Sequence, residues 1–331
     1  MTPTQLRAYS AVVRNGSVKA AAAELGVTEA AVSLHVAQLR KELEDKLFGR
    51  TAAGLAFTPG GLRLASRATE MLGLADRTVR EVSQAGRGRR LMRVAASSLF
   101  AEHAAPGLIE LFVGRAQDFD VELSVCVPTQ FEGLLASRTV DVAIGPPAPS
   151  TSTLVCRPFL NYEVLVVVAP THPLALTSGS GPANGSAIAA QKALRGLLRE
   201  QTWLLGPSAA GMDGVVPRML RHLDVPEARQ RIFQSHAAAL EETRRGNGVA
   251  LALSFAVAGD LAERRLVALT GHGLPAKGVW STTTLPDHAV MPMAAELTRF
   301  ITTPRATQAM LKGSGVNIGR FRPSVHVTLW K

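Results

Sequence analysis

The sequence predicts an α/β protein with an N-terminal all-α unit of winged helix-turn-helix type, a long linker helix and a two-lobed α/β body. Three observations predict it. Residues 17–43 read as two short helices broken by Gly26-Val27-Thr28. Apolar residues from Ala65 to Val82 recur at alternating spacings of three and four. From Leu91 to about residue 303, strand-like and helix-like stretches alternate.

Composition sets the outer bounds. A chain of 331 residues, 47% hydrophobic, has room for two or three domains, one of them small. No stretch approaches the roughly 18 uninterrupted apolar residues of a membrane span. The first residues lack a basic region leading into an apolar stretch, so a cytoplasmic protein with no membrane association is expected. Cys126 and Cys156 lie far apart and in no CxxC or Cys/His spacing, so neither a disulfide framework nor a metal site is expected. The net charge of +10 is unevenly placed. Residues 1–90 hold 14 Lys+Arg against 8 Asp+Glu, residues 91–303 hold 17 against 18, and residues 304–331 hold 5 basic residues and no acid. A basic first ninety residues on a neutral body suits nucleic-acid binding by the small part alone.

The spacing predicts a first helix over about Thr4–Asn15, with Leu6, Tyr9 and Val13 on one face. Asn15-Gly16 ends it, and Ser17 can cap the next helix, which turns Val18, Ala21, Ala22 and Leu25 inward. Those alanines permit close helix crossing. Gly26 allows a tight left-handed reversal, and Thr28 caps the third helix. Val32, Val36, Leu39 and Leu43 then form a buried stripe. The other face shows Glu29, Ala30, Ser33, Leu34 and Ala37, with Gln38 and Lys41 on its flank. Glu29 can accept from cytosine N4, Ser33 can bond to several base edges and Ala30 can pack on a thymine methyl. The plainer reading of this stretch alone is an alanine-rich helical hairpin.

The order SVKAAAAELGVTEAAVSLHVAQLRKELEDKLFGRT, followed by GLAFTPGG, resembles the DNA-binding part of LysR-type transcriptional regulators nearly position for position. The resemblance implies a winged helix-turn-helix over residues 1–58, with Thr28, Glu29, Ala30, Ser33, Leu34 and Gln38 on the face toward double-stranded DNA. It implies that Arg50 and Thr51 begin a wing touching the backbone or minor groove. The family commonly has Gln, Pro or Ala, Ser and a basic residue at the four reading positions. Glu29 and Leu34 depart from that pattern, and Leu34 removes a cation that would strengthen phosphate attraction.

Thr58 and Pro59 are helix-start signals. Ala65, Ala68, Leu72, Ala75, Val79 and Val82 form an a/d seam of about two and a half heptads. A single helix packed on its own domain is the plainer reading. A seam flanked by Arg63, Arg67, Glu70, Arg77, Arg80 and Glu81 reads instead as a dimerisation rod, and the resemblance implies a homodimer or dimer of dimers. Residues 59–90 are therefore expected to form the linker helix, ending in a hinge over 84–90.

In the body, strands are expected at Leu91–Ala96, Asp120–Val127, Val140–Ile144, Leu154–Phe159 and Glu163–Val168. A helix is expected at Ala101–Arg115 and another at Phe131–Ser137, with a loop at Thr177–Ser186. A second α/β unit follows, and its last strand is Val249–Leu253. This layout resembles periplasmic binding proteins, with lobe I over about 91–162 and 269–303 and lobe II over about 163–268. The LysR resemblance extends over most of 91–303, best at Val125–Gly145 and Arg245–Leu253, and implies a small-molecule effector in the cleft.

Strand ends place Ser97, Ser98, Thr129, Ser208 and His236 as candidate effector contacts suited to an anion or carboxylate. Taken singly, each is more often a helix cap. The eight His residues are scattered in sequence, so no catalytic or metal-ligand constellation and no cofactor is expected. Residues 304–331 are expected to be a basic tail, either an added edge strand or without structure. The expected function is therefore effector-switched, sequence-specific regulation of transcription. The alternative is a solute-binding or sensory module whose N-terminal hairpin docks a protein partner.

Overall fold

Side chains that satisfy free backbone N–H groups set where the N-terminal helices begin. In the computed structural model, which describes residues 1–51, 54–85, 90–115, 119–148, 153–177, 194–271, 274–286, 290–312 and 327–329, α1 (Pro3–Asn15) starts with a Thr2–Gln5 capping box. α2 (Val18–Leu25) starts at Ser17 and ends at Gly26, whose φ of 64° is left-handed. α3 (Glu29–Leu43) starts at Thr28, whose hydroxyl accepts from the Ala31 N–H at 3.2 Å. Tyr9, Ala11, Val12, Ala21, Val32 and Leu39 are fully buried between the three helices. Leu43 is not part of that core. It is 40% exposed, because the helix ends at Glu44 in a left-handed turn and no further helical turn covers it.

A hairpin of β1 (Phe48–Thr51) and β2 (Gly54–Phe57) follows, with Phe48 opposite Phe57. The Arg40 guanidinium lies 4.5 Å from the Phe48 ring centre and donates to the Phe48 carbonyl at 2.8 Å. α4 (Pro59–Ala85) begins where the Thr58 hydroxyl accepts from the Gly61 N–H and donates to Asp45. Gly61 is required there: a Cβ would stand 2.0 Å from the Leu47 carbonyl oxygen. Gln84 and Ala85 of the expected hinge belong to α4, and residues 86–89 lie outside the described residues.

The chain divides into two compact units, Met1–Gly88 with Gly133–Thr139, and Arg89–Glu132 with Val140–Lys331. The second unit is built on one ten-stranded mixed sheet. β3 (Arg90–Ala96), β4 (Phe119–Val125) and β5 (Val142–Gly145) are parallel. So are β7 (Trp203–Leu205), β8 (Gln230–Ile232) and β9 (Val249–Leu253). Between these groups run β6 (Val155–Val168) and β11 (Ala276–Thr284), antiparallel to each other and to their neighbours. β10 (Val267–Leu269) pairs with β6. Two parallel α/β halves joined by long crossover strands are thus observed.

Three expectations are corrected. Residues 154–159 and 163–168 are not separate strands, because Leu160, Asn161 and Tyr162 stay extended and pair with Trp280, Val279 and Gly278. The helix expected over 101–115 is two, α5 (Ser98–His103) and α6 (Ala105–Val113). They break at Ala104, where Pro106 at the start of α6 supplies no N–H to continue the ladder. The segment after residue 304 is not all tail. Pro304–Lys312 is a helix capped by Thr303, and it buries Ala306 and Met310 completely. Further on, β12 (Val327–Leu329) adds a parallel edge strand beside β4. α7 (Phe131–Ala136) matches its expected place to within a residue. Most of the Thr177–Ser186 loop lies outside the described residues. Among the described residues no helix is long and apolar enough to cross a membrane.

Candidate nucleic-acid interface and ligand cleft

α3 presents a clear division. Val32, Val36 and Leu39 are buried, while Glu29, Ala30, Ser33, Leu34 and Gln38 are exposed, Leu34 at 57%. Thr28 is exposed at the start of the same helix. The Gln38 carbonyl oxygen accepts from the Gln5 amide at 3.0 Å, which holds that flank in one orientation. The backbone of Arg50 and Thr51 forms the end of β1, and their side chains lie outside the described ones. Along α4, Ala65 packs on the core of its own unit and Ala68 is buried. Leu72 is half-buried and Ala75 exposed. Val79 and Val82 are 70% and 69% exposed. The uncovered part of the seam is therefore its second half.

In the second unit a cavity of about 320 Å³ opens between the strand ends and the crossover strands. Ser97, Ser98 and Ser208 line it, together with Tyr162 of β6 and Trp280 of β11. Ser97 does not cap α5: its hydroxyl is buried and, among the described residues, has no partner, a cost of roughly 1–3 kcal/mol when unrelieved. Thr129 lines a neighbouring cavity of about 550 Å³ with Arg218, Arg221, Asp213 and Glu132. Tyr162, Trp280, Arg218 and Arg221 were missed in the sequence, although the alternation of Arg218 and Arg221 with buried Val216, Met219 and Leu220 marks one polar helix face. Cys126 also lines the first cavity, and burial pushes its thiol up to about 11, so it stays protonated at neutral pH.

His236 does not reach either cavity wall. It stands behind Ser208, whose hydroxyl lies 2.8 Å from His236 Nε2. His236 Nδ1 lies 2.7 Å from Glu102 Oε2, and Glu102 also accepts from the backbone N–H groups of His236 and Ala237. Gly206 makes room for this, since a Cβ there would stand 2.3 Å from the imidazole. Burial raises the pKa of Glu102, but the His236 and backbone contacts outweigh it and bring the carboxyl to about 2. Burial, then the charge of His236, lowers His103 to about 4 against the opposing pull of Glu102. Scattered in sequence, these residues converge in space. The expectation that no such constellation assembles is therefore corrected: Ser208, His236 and Glu102 are linked in series, and a ligand atom from each of Glu102, His103 and His236 lies within 4.8 Å of the others.

Residues 3–62 match the family described as a bacterial regulatory helix-turn-helix protein of the lysR family, and residues 85–303 match the LysR substrate binding domain. An HTH-type transcriptional regulator of Mycobacterium tuberculosis, Rv0377, is 58% identical over 334 residues, covering 100% of both chains. The RuBisCO operon transcriptional regulator of Allochromatium vinosum is 25% identical over 91% of this chain and 96% of its own. Among solved structures, ArgP from M. tuberculosis aligns with a TM-score of 0.54 at 18% identity, over 94% of this chain and 96% of that one. LysG from Corynebacterium glutamicum, solved with its effector Arg bound, aligns with a TM-score of 0.53 at 19% identity, over 95% and 98%.

Proposed function

Because the chain belongs to the LysR family of transcriptional regulators, we propose that α3 reads its operator through Glu29, Ala30, Ser33 and Leu34, and that the cleft takes a small carboxylate. The chain is a DNA-binding transcriptional regulator with an effector-binding domain. The exposed face of α3, apolar at Leu34 and flanked by a fixed Gln38, supports major-groove reading with Thr28 at the helix start and Arg50 and Thr51 on the wing. Val79 and Val82, uncovered on α4, support pairing into a homodimer. A dimer fixes half-site spacing and roughly adds two binding free energies. The protein is expected to work in the cytoplasm, where its operator is.

The observation that carries the effector reading is the Ser97 hydroxyl, buried at the cavity without a partner. A ligand acceptor would relieve it, and Arg218 and Arg221 of the neighbouring cavity favour an anion against Asp213 and Glu132 on the same lining. LysG binds arginine, and an amino-acid carboxylate is one acceptor of this kind. The test is a thermal-shift screen of small carboxylates, since a ligand raises stability by about RT ln(1 + [L]/Kd). Ser97→Ala should weaken a true effector about tenfold or more, the scale of a hydrogen bond to a charged group. A ligand whose shift survives combined replacement of Ser97, Thr129 and Ser208 would remove the assignment. Footprinting on neighbouring promoters tests the DNA reading, and Ser33→Ala should lower affinity without changing the fold.

A further inference from the structure

We propose that Glu102, His103 and His236 form a binding site for a divalent transition-metal ion of the Zn²⁺ class, joining the two halves of the sheet behind the effector cleft. Two imidazoles and one carboxylate are a donor set that suits this ion and leaves a fourth position open. α5 brings Glu102 and His103 from beside β3, and the helix His236–Arg244 brings His236 from beside β7 and β9. One ligand atom from each already lies within 4.8 Å of the others, and the His103 and His236 ring centres are 5.5 Å apart.

His103 is the observation that asks for a ligand. It is buried, at 9% exposure, its ring faces that of His236, and among the described residues no hydrogen bond reaches it. A buried imidazole grouped with a carboxylate and a second imidazole presents a ready set of donor atoms. Glu102 is held in place from behind by the N–H groups of His236 and Ala237 at 2.8 and 2.7 Å. His236 has an outer partner on its far nitrogen, Ser208, as metal-bound imidazoles usually do. Tetrahedral zinc with bonds of about 2.1 Å spaces its ligand atoms by roughly 3.4 Å. The Glu102–His236 contact of 2.7 Å must open slightly, and His103 must swing inward.

The site bears on the cleft through one proton. In the tautomer with the proton on Nδ1, shared with Glu102, Nε2 accepts from the Ser208 hydroxyl. A metal on Nδ1 moves the imidazole proton to Nε2, which then donates to Ser208. The Ser208 hydroxyl hydrogen is released toward the cavity, where it can meet a ligand acceptor. No proton is gained or lost overall. This last step rests on the effector reading above, whereas the metal site does not.

The test uses untagged full-length protein, stripped with EDTA and dialysed, and titrated with Zn²⁺ alone in the absence of DNA and effector. One ion per chain is expected. Co²⁺ should give the intense visible absorption of a tetrahedral site. His103→Ala should lower the melting temperature through lost packing yet leave the protein folded, and should weaken Zn²⁺ binding by that folded protein at least tenfold. Ser208→Ala should weaken it by a smaller factor than His103→Ala does, about tenfold, as an outer partner. Binding well below one ion per chain, or His103→Ala binding as wild type does, overturns the site. So does reaction of metal-free protein with a fluorophosphonate at Ser208 combined with no Zn²⁺ retention, which would assign the Ser208–His236–Glu102 series to nucleophilic chemistry instead. Failure of the carboxylate screen leaves the Zn²⁺ titration unaffected, so the two readings fail separately.

Discussion

The N-terminal unit and the sheet-based unit solve the problem of buried polar groups in opposite ways. In the first, each helix start is satisfied by a neighbour three residues away in sequence: Thr2 with Gln5, Ser17 with Ala20, Thr28 with Ala31 and Thr58 with Gly61. In the second, the decisive pairs are remote. Glu102 reaches His236 and Ala237, which lie 134 and 135 positions on. Local satisfaction gives a rigid reading head whose parts are individually replaceable. Remote satisfaction ties two halves of a sheet together, and among the described residues it leaves the Ser97 hydroxyl without a partner at the cleft.

The sharpest way to separate the two is to damage the first unit alone. Leu39, fully buried under α3, should cost about 2–5 kcal/mol when cut to alanine. Calorimetry should show an early loss of the N-terminal transition and of DNA binding, while effector-induced stabilisation of the other unit persists. Equal loss of both would break the comparison. Next in size is Glu102→Ala. It removes three hydrogen bonds that span the sheet halves and leaves His236 buried with one nitrogen idle, so a destabilisation of roughly 1–3 kcal/mol is expected. Urea midpoints should place that loss in the second unit, with operator affinity per folded protein unchanged. Smaller again is Thr28→Ala, at about 1 kcal/mol, confined to the first unit. A Thr28 effect larger than the Glu102 effect would reverse the ranking of local against remote pairs.

The same contrast explains what could be read in the sequence. Caps, turns and helical stripes act over three or four residues, so Ser17, Gly26, Thr28 and Thr58 announced α2, α3 and α4 directly. Val249–Leu253, an unbroken apolar run, was legible to the residue. Tertiary pairing was not. Nothing near Leu160 says that it pairs with Trp280, and so one long strand read as two. Of the cleft residues, Ser97 and Ser208 could be proposed because strand ends in an α/β sheet face the ligand side. That His236 would stand behind Ser208, and that Glu102 would meet it, depends on where two distant helices land. The helix Pro304–Lys312 was hidden for another reason. Its apolar contacts, Ala306 and Met310, are few, and its burial comes from α6, where Gly107 lets the Ala309 carbonyl approach closely.

Asp260, whose partners lie 16 and 5 positions away, stands between the local and the remote pairs and supplies the mildest test. Its carboxylate is nearly buried and binds Arg244 Nη2 and Arg265 Nε, each at 2.7 Å. Burial pushes its pKa up, but the hydrogen bonds and charges of Arg244 and Arg265 outweigh that and hold it below the ordinary value of 3.8. The sign then follows from linkage: the folded state binds the proton less readily than the unfolded chain. The pair therefore contributes its full stability above about pH 4 and loses it as pH falls through the lower, folded-state pKa. Asp260→Asn should be less stable than wild type at neutral pH, and the gap should narrow only under acid, as the wild-type carboxyl itself becomes neutral. Both arginines are partly exposed, so salt screening keeps the whole effect small. Paired urea titrations of the two proteins, stepped from pH 6 downward, would show the gap closing. A gap that stayed constant as the pH fell would mean that the arginines bind the substituted amide poorly for steric reasons rather than for want of charge.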